Sequence, residues 1–340
     1  MAIFPAMWIG VVSAMVDIAV LGARGYLGRE LVRILLAHPN VDGLHLVTSS
    51  EAGKPYGESV PAFRHRRDLV LAGPEAARDA DVVFLATDSD EARKHAPTFA
   101  ADQTVIDLSR AHRAEALAGG SPWTYGLSEL FPVPKGAKRI ANPGCYPTAT
   151  MLAAAPALKA GFAAPGVLIS DGKSGVSGAG ATPRGDLHYP EANEAVRAYK
   201  VLGHDHLAEI RAIAARVEGK AAVPRAVRFT PHLVPQNRGL LATVYLPTKA
   251  TDAAAVKDAY KAAYQDAAFV RMVPEPDTGH VRGSNFADLA IDLDADSGLL
   301  VARGAIDNLV KGGSGAAVQN MNLSLGLPVA SGLAHVGGGP

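Results

Sequence analysis

Between an apolar run, "DIAVLGA", and an amphipathic run, "GRELVRILLAH", the chain carries Gly22-Ala23-Arg24-Gly25-Tyr26-Leu27-Gly28, a G-x-x-G-x-x-G. Few folds accept a buried strand that ends in glycine and turns at once into a helix. Glycines there let the backbone approach a pyrophosphate, and the helix N-terminus supplies N–H donors. The same spacing also suits an ordinary tight turn, so the flanking strand and helix are what favour a dinucleotide. The rest of the first half repeats the unit. "GLHLVTSS", "DADVVFLAT" and "TVIDLS" read as strands and "DSDEARKHAPTFAA" as a helix. Short apolar runs separated by helices predict a parallel sheet covered on both faces, and right-handed crossovers make it a doubly wound, Rossmann-type α/β domain.

The second strand runs into "VTSSEAGK". A cofactor with a free ribose 2′-hydroxyl usually meets an acid at that strand tip. Here Thr48, Ser49 and Ser50 come first, Lys54 is near, and Glu51 is the only acid. Hydroxyls and an ammonium suit a 2′-phosphate, which favours NADP(H) over NAD.

The chain's single cysteine lies in "NPGCYPT". It excludes an intramolecular disulfide scaffold and suits a reducing cytoplasm. Cys145 reads either as a small buried hydrophobe or as a nucleophile at the head of a helix, "PTATMLAAAPALKAG", whose dipole favours the thiolate. After it the texture changes. "GVLISDGKSGVSGAG" is a strand entering a Gly/Ser loop, and "AVRFTPHLVP", "RGLLATVYLP" and "DLAIDLDADSGLLVARGAI" are longer and more alternating. Helices at "HLAEIRAIAARV" and "DAAAVKDAYKAAYQDA" separate them. This predicts an α+β catalytic and oligomerisation domain with a mixed, largely antiparallel sheet, and a hairpin at "DADSG". The expected division is an N-terminal extension 1–15, a cofactor domain 16–148 plus 305–335, and a catalytic domain 149–304. The helical "NLVKGGSGAAVQNMNLSLGL" returns to the first domain. The extension is apolar with no Lys or Arg before Arg24, so it lacks the basic start of a signal peptide; Met15 is the expected functional start. Lys+Arg and Asp+Glu both number 33, leaving no basic or acidic surplus to suggest nucleic acid or a membrane as partner.

With these features together, the sequence resembles the N-acetyl-gamma-glutamyl-phosphate reductases of arginine biosynthesis, within the semialdehyde dehydrogenase group. The matching stretches include "GYLGRELVRILLAHP", "VIDLSRAHR", "YGLSEL", "NPGCYPTA", "KSGVSGAG", "AYKVLGHDHLAEI", "TPHLVPQNRGLLATVY", "GSNFADL" and "AIDNLVKGGSGAAVQNMNLSLGLP". They run from Asp17 to Pro328. Three places depart from the family pattern: Arg24 stands where Ser or Thr is common, "ATDSD" at Ala86–Asp90 replaces "LPHG", and "HDH" at His204–His206 replaces "HRH". The resemblance implies NADPH-dependent reduction of an acyl phosphate to a semialdehyde through a cysteine thioester, in a homodimer or homotetramer. The paralogous aminoadipate-phosphate reductase of the carrier-protein lysine route shares this chemistry, aspartate semialdehyde dehydrogenase shares its logic, and a non-catalytic NADP-binding sensor could share the fold.

The roles that follow are expectations. Cys145 is the nucleophile. His206 or His204 is its acid/base partner, with His206 favoured because it directly precedes a helix. Their i, i+2 spacing resembles a metal pair, but further ligands are missing, so no metal is expected. Gly22, Arg24, Gly25, Tyr26, Leu27, Gly28, Ser49, Ser50, Lys54, Ser174, Gly175 and Asn308 are candidate cofactor residues. Arg113 is the first choice for a substrate oxyanion, with Arg110 its competitor. Ser177 and Gly178 could cradle phosphate. Glu194 and Arg238 fit substrate contact or a structural ion pair equally.

Overall fold

The computed structural model describes residues 15–219 and 225–338. Residues 1–14 of the expected extension lie outside the described residues. The first half forms a seven-stranded sheet from β1 (Val16–Leu21), β2 (Val41–Val47), β3 (Leu71–Ala72), β4 (Val82–Leu85), β5 (Thr104–Asp107), β6 (Thr124–Tyr125) and β7 (Arg139–Ala141). The order is β3-β2-β1-β4-β5-β7-β6, and all neighbours are parallel. Every residue of β4 and β5 is buried, as a parallel sheet covered on both faces requires. The chain moves outward from β1 through β2 and β3, then returns to the other side of β1 at β4. Ligands of such sheets bind outside the carboxyl ends of the strands at this reversal.

The second sheet contains β8 (Val167–Gly175), β9 (Arg197–Ala198), β10 (Ala226–Val234), β11 (Leu240–Pro247), β12 (Val270–Met272), β13 (Ala287–Asp294) and β14 (Leu299–Ile306), in the order β12-β13-β14-β11-β8-β10-β9. It is mixed: β8/β10 and β12/β13 are parallel and the rest antiparallel. The β13–β14 hairpin turns at the expected "DADSG". Buried residues alternate along β11 and β10 and face the helices Cys145–Lys159 and His206–Glu218. On the opposite side, Arg228, Ile169, Tyr245, Val301 and Asp292 lie in register across five strands and keep surface open.

The helix Cys145–Lys159 is buried on every side from Tyr146 to Leu158. A helix apolar all round belongs in a core, and this one packs on β11, β14 and the helix His206–Glu218. Pro147 sits in the first turn, where its missing N–H costs nothing. Pro156 lies inside the helix and takes the usual partner from the Leu152 carbonyl. Tyr264 replaces it, its hydroxyl donating to that oxygen at 2.6 Å. Downstream of β14 the chain makes a π-turn, Val310–Ser314, and then the helix Gly315–Leu325, which packs on the helix Tyr26–Leu35 and on β5.

Candidate active site

Three chain segments meet at the carboxyl edge of the first sheet. β1 leads into the glycine loop, β7 into Asn142-Pro143-Gly144-Cys145, and the π-turn closes from the far end of the chain.

Cys145 is the first residue of its helix, which opens two places before the expected start at Pro147, and Gly144 is the extended N-cap. With no side chain to cap that end, the Gly144 N–H donates to Glu209 Oε1 at 2.9 Å. A methyl group placed on Gly144 would stand 2.6 Å from His206 Nε2 and 2.7 Å from Arg113 Nη1, so both side chains press on the residue before the thiol. Tyr146, on the other side, meets the His206 ring edge-on at 5.9 Å. Burial pushes the Cys145 thiol up to about 11, and the Arg113 charge pulls the other way. Burial, then the charge of Arg113 and the neighbouring His204, holds His206 well below the usual histidine range. Burial in a low-dielectric site disfavours the charged form of each group. A neutral imidazole is the form that can accept the thiol proton.

His204 and His206 differ in their work. The His206 backbone N–H donates to His204 Nδ1 at 3.1 Å, so His204 caps the helix that carries His206. His204 Nε2 faces the Tyr199 hydroxyl at 3.5 Å. His206 Nδ1 is buried with no partner.

Arg113 is buried and spends three N–H groups on protein, donating to the Asn142 carbonyl at 2.8 Å, the Leu108 carbonyl at 2.9 Å and Glu209 Oε2 at 3.1 Å. Arg110 is exposed and paired with Asp205, between the two histidines. Together they line a cleft of about 470 Å³ with His204, His206 and Glu209. Glu209 is absent from the sequence reading. It lies three residues after His206, on the same helix face, and that spacing was the available signal. Its two oxygens hold Gly144, Tyr125 and Arg113 at once.

At the cofactor edge, Gly22 (φ 81°) lies so close to β4 that a methyl group there would stand 2.5 Å from the Ala86 carbonyl oxygen. One on Gly28 would run into Ala23 Cα at 2.6 Å. Gly25 opens the helix Tyr26–Leu35 without a side-chain cap, leaving its first N–H groups for an anion. These features fit a pyrophosphate. At the tip of β2, Arg24 and Lys54 both pair with Glu51, beside the exposed Ser49 and Ser50. Ser177 Oγ accepts from Asn308 Nδ2 at 3.0 Å, and Asn308 Oδ1 accepts from the Gly239 N–H at 2.8 Å. Gly178 and the buried Ser174 lie against them; Ser174 donates to the Gly175 carbonyl. Tyr26 and Ser177 line a second cleft of about 350 Å³. Arg238 is turned away into ion pairs with Glu30 at 2.7 Å and Asp307 at 3.5 Å. Glu194 is exposed with a left-handed backbone (φ 58°) and joins none of these groups.

Two family descriptions match this chain: "Semialdehyde dehydrogenase, NAD binding domain" over residues 17–135 and "Semialdehyde dehydrogenase, dimerisation domain" over 145–308. The N-acetyl-gamma-glutamyl-phosphate reductase of Citrifermentans bemidjiense is 42% identical, covering 94% of this chain and 98% of its own. That of Methanothrix thermoacetophila is 38% identical over 96% of this chain and 100% of its own. Among solved structures, aspartate semialdehyde dehydrogenase II from Vibrio cholerae superposes with a TM-score of 0.71 at 18% identity, covering 92% of this chain and 98% of that one. The Candida albicans aspartate semialdehyde dehydrogenase with NADP gives 0.66 at 18% identity, with coverage of 92% and 99%. At these identities the superpositions establish the fold.

Proposed function

The chain belongs to the N-acetyl-gamma-glutamyl-phosphate reductase family of semialdehyde dehydrogenases, and from that premise we propose that it reduces N-acetyl-L-glutamyl 5-phosphate to N-acetyl-L-glutamate 5-semialdehyde and phosphate, through a thioester on Cys145. The observation that carries the mechanism is the first-turn thiol, with His206 and Arg113 pressed against the residue before it. His206 takes the Cys145 proton as the sulfur attacks the acyl-phosphate carbonyl. The carbonyl re-forms as the C–O bond to phosphate breaks, leaving the thioester. Reduced NADP, when bound, supplies hydride for the thioester carbonyl. The protonated His206 then gives its proton to the oxyanion of the resulting thiohemiacetal or to the departing sulfur. Arg113 keeps positive charge beside the sulfur in each state. Arg110, freed from Asp205, is an exposed cation lining the cleft with the histidines and is available for a substrate carboxylate or phosphate.

NADP rather than NAD is supported by Arg24 and Lys54 at the tip of β2, two cations around one acid. The proposed assembly is a dimer or tetramer built on the second sheet, and a cytosolic location fits the lone free cysteine. The proposed division remains 16–148 plus 305–335 for cofactor and 149–304 for catalysis. The test is phosphate-dependent reduction of NADP⁺ with N-acetylglutamate semialdehyde, aspartate semialdehyde and the aminoadipate analogue. The first should dominate, and Cys145→Ser should abolish turnover while leaving NADPH affinity in place. Activity of Cys145→Ser within about tenfold of wild type, only ~1.4 kcal/mol of barrier, rules out the covalent route.

A further inference from the structure

Lys311 is only 1% exposed. Its ammonium pairs with Glu129 and donates to Gln319 Oε1 at 2.8 Å. The Glu129 side chain is enclosed too, 4% exposed, and Gln319 Nε2 donates to it at 2.9 Å and to Ser128 Oγ at 2.8 Å. Lys311 lies inside the π-turn Val310–Ser314, whose other residues reach the site on two sides. A methyl group on Gly312 would stand 2.7 Å from Cys145 Cβ, so this backbone is the wall behind the nucleophile. A methyl group on Gly313 would stand 2.5 Å from Leu27 Cδ2, and Ser314 Oγ donates to the Leu27 carbonyl at 2.8 Å. Leu27 belongs to the cofactor helix. The Gly313 carbonyl accepts from Asn142 Nδ2 at 3.1 Å, three residues before Cys145.

A π-turn has poorer intrinsic stability than an α-helix and persists where its surroundings impose it. Here the i to i+5 bonds Gly312 N–H to Asp307 and Ser314 N–H to Leu309 hold the widened turn from within. The only charged side chain in the turn leaves it for the segment 128–129. Two charges removed from water are an expensive way to add stability, since apolar groups of the same volume do as well or better. What such a pair adds is a fixed position.

We propose that Lys311 is a positioning residue: its buried pair with Glu129 sets the π-turn so that Gly312 backs Cys145 while Gly313 and Ser314 seat the cofactor helix. The proposal rests on Cys145 as nucleophile. Alkylation of this lone thiol by iodoacetamide reads its surroundings without turnover, so an active Cys145→Ser enzyme would overturn that reading separately.

The experiment compares the full-length wild type with the double variant Lys311→Met/Glu129→Gln, which removes both charges and leaves neither one unpaired, and with Glu129→Asp, which keeps the pair but shortens its reach. All are measured well below their thermal midpoints. The expected result is a fall in kcat of about 10²-fold with KM nearly unchanged, since a displacement of about 1 Å costs that much. Alkylation should become faster because the wall behind the thiol withdraws. Wild-type kcat and alkylation in the folded double variant overturn the proposal. If the double variant does not fold, Glu129→Asp decides by the same two readouts, because its ion pair is retained.

Discussion

At the scale of single residues, the two histidines have separable duties. His206 touches the nucleophile turn, whereas His204 holds the His206 backbone N–H. Replacing His206 with Asn is expected to slow turnover by about 10²–10⁴-fold, the usual loss of a proton-transfer group. His204→Asn is expected to lower stability and to reduce kcat less. Steady-state kinetics beside thermal melts separate the two, and a larger kcat loss for His204→Asn would reverse the assignment. The thiol itself makes stability depend on pH. Its folded value of about 11 lies above its ordinary value near 9, so between those limits the unfolded chain releases the proton first. The contribution is complete below pH 9 and lost as pH rises towards 11. Urea midpoints measured across that window should fall less steeply for Cys145→Ser than for wild type.

At the scale of elements, the buried helix Cys145–Lys159 depends on a substitution made by another helix. Tyr264→Phe removes the donor to the Leu152 carbonyl and is expected to cost about 1–3 kcal/mol, the penalty of an unpaired buried acceptor. Pro156→Ala restores an N–H that can reach that carbonyl, so the double variant should recover most of the loss in urea unfolding; strict additivity would refute the coupling. Neither partner suggests this in sequence, because Pro156 and Tyr264 lie 108 positions apart. What could be read was periodic or punctuated: the strand–glycine–helix at Gly22–Gly28, the alternation of β10 and β11, and the hairpin at "DADSG". The strands β3, β6 and β7 span only two or three residues, too few to show a period. Cys145 and the histidine pair stand out in the sequence as chemistry. Glu209 and Gly312 do not, because each acts through a neighbour that only the folded chain supplies.

At the scale of the whole molecule, the two sheets are tied together where the chemistry is expected. Arg238, next to β11, pairs with Glu30 of the cofactor helix and with Asp307 after β14. The open side of the second sheet carries the row Ile169, Tyr245 and Val301, apolar at its centre and flanked by Arg228 and Asp292. A second copy of the chain laid across that row would cover it. Ile169→Glu/Tyr245→Glu is expected to shift the oligomer to a folded monomer by light scattering, and an unchanged mass would move the contact elsewhere. The helix Cys145–Lys159 has a consequence for how such a chain can evolve. It begins at the edge of one sheet and is buried beneath the other, with no face made for water. Its cover comes from β11, β14 and the helix His206–Glu218, all of which follow it in the chain. A gene broken after the first sheet would therefore send the thiol away with the second sheet and leave a cofactor fold with no nucleophile. The reactive atom is inherited with one half and the loop that faces it with the other, so the chemistry needs both.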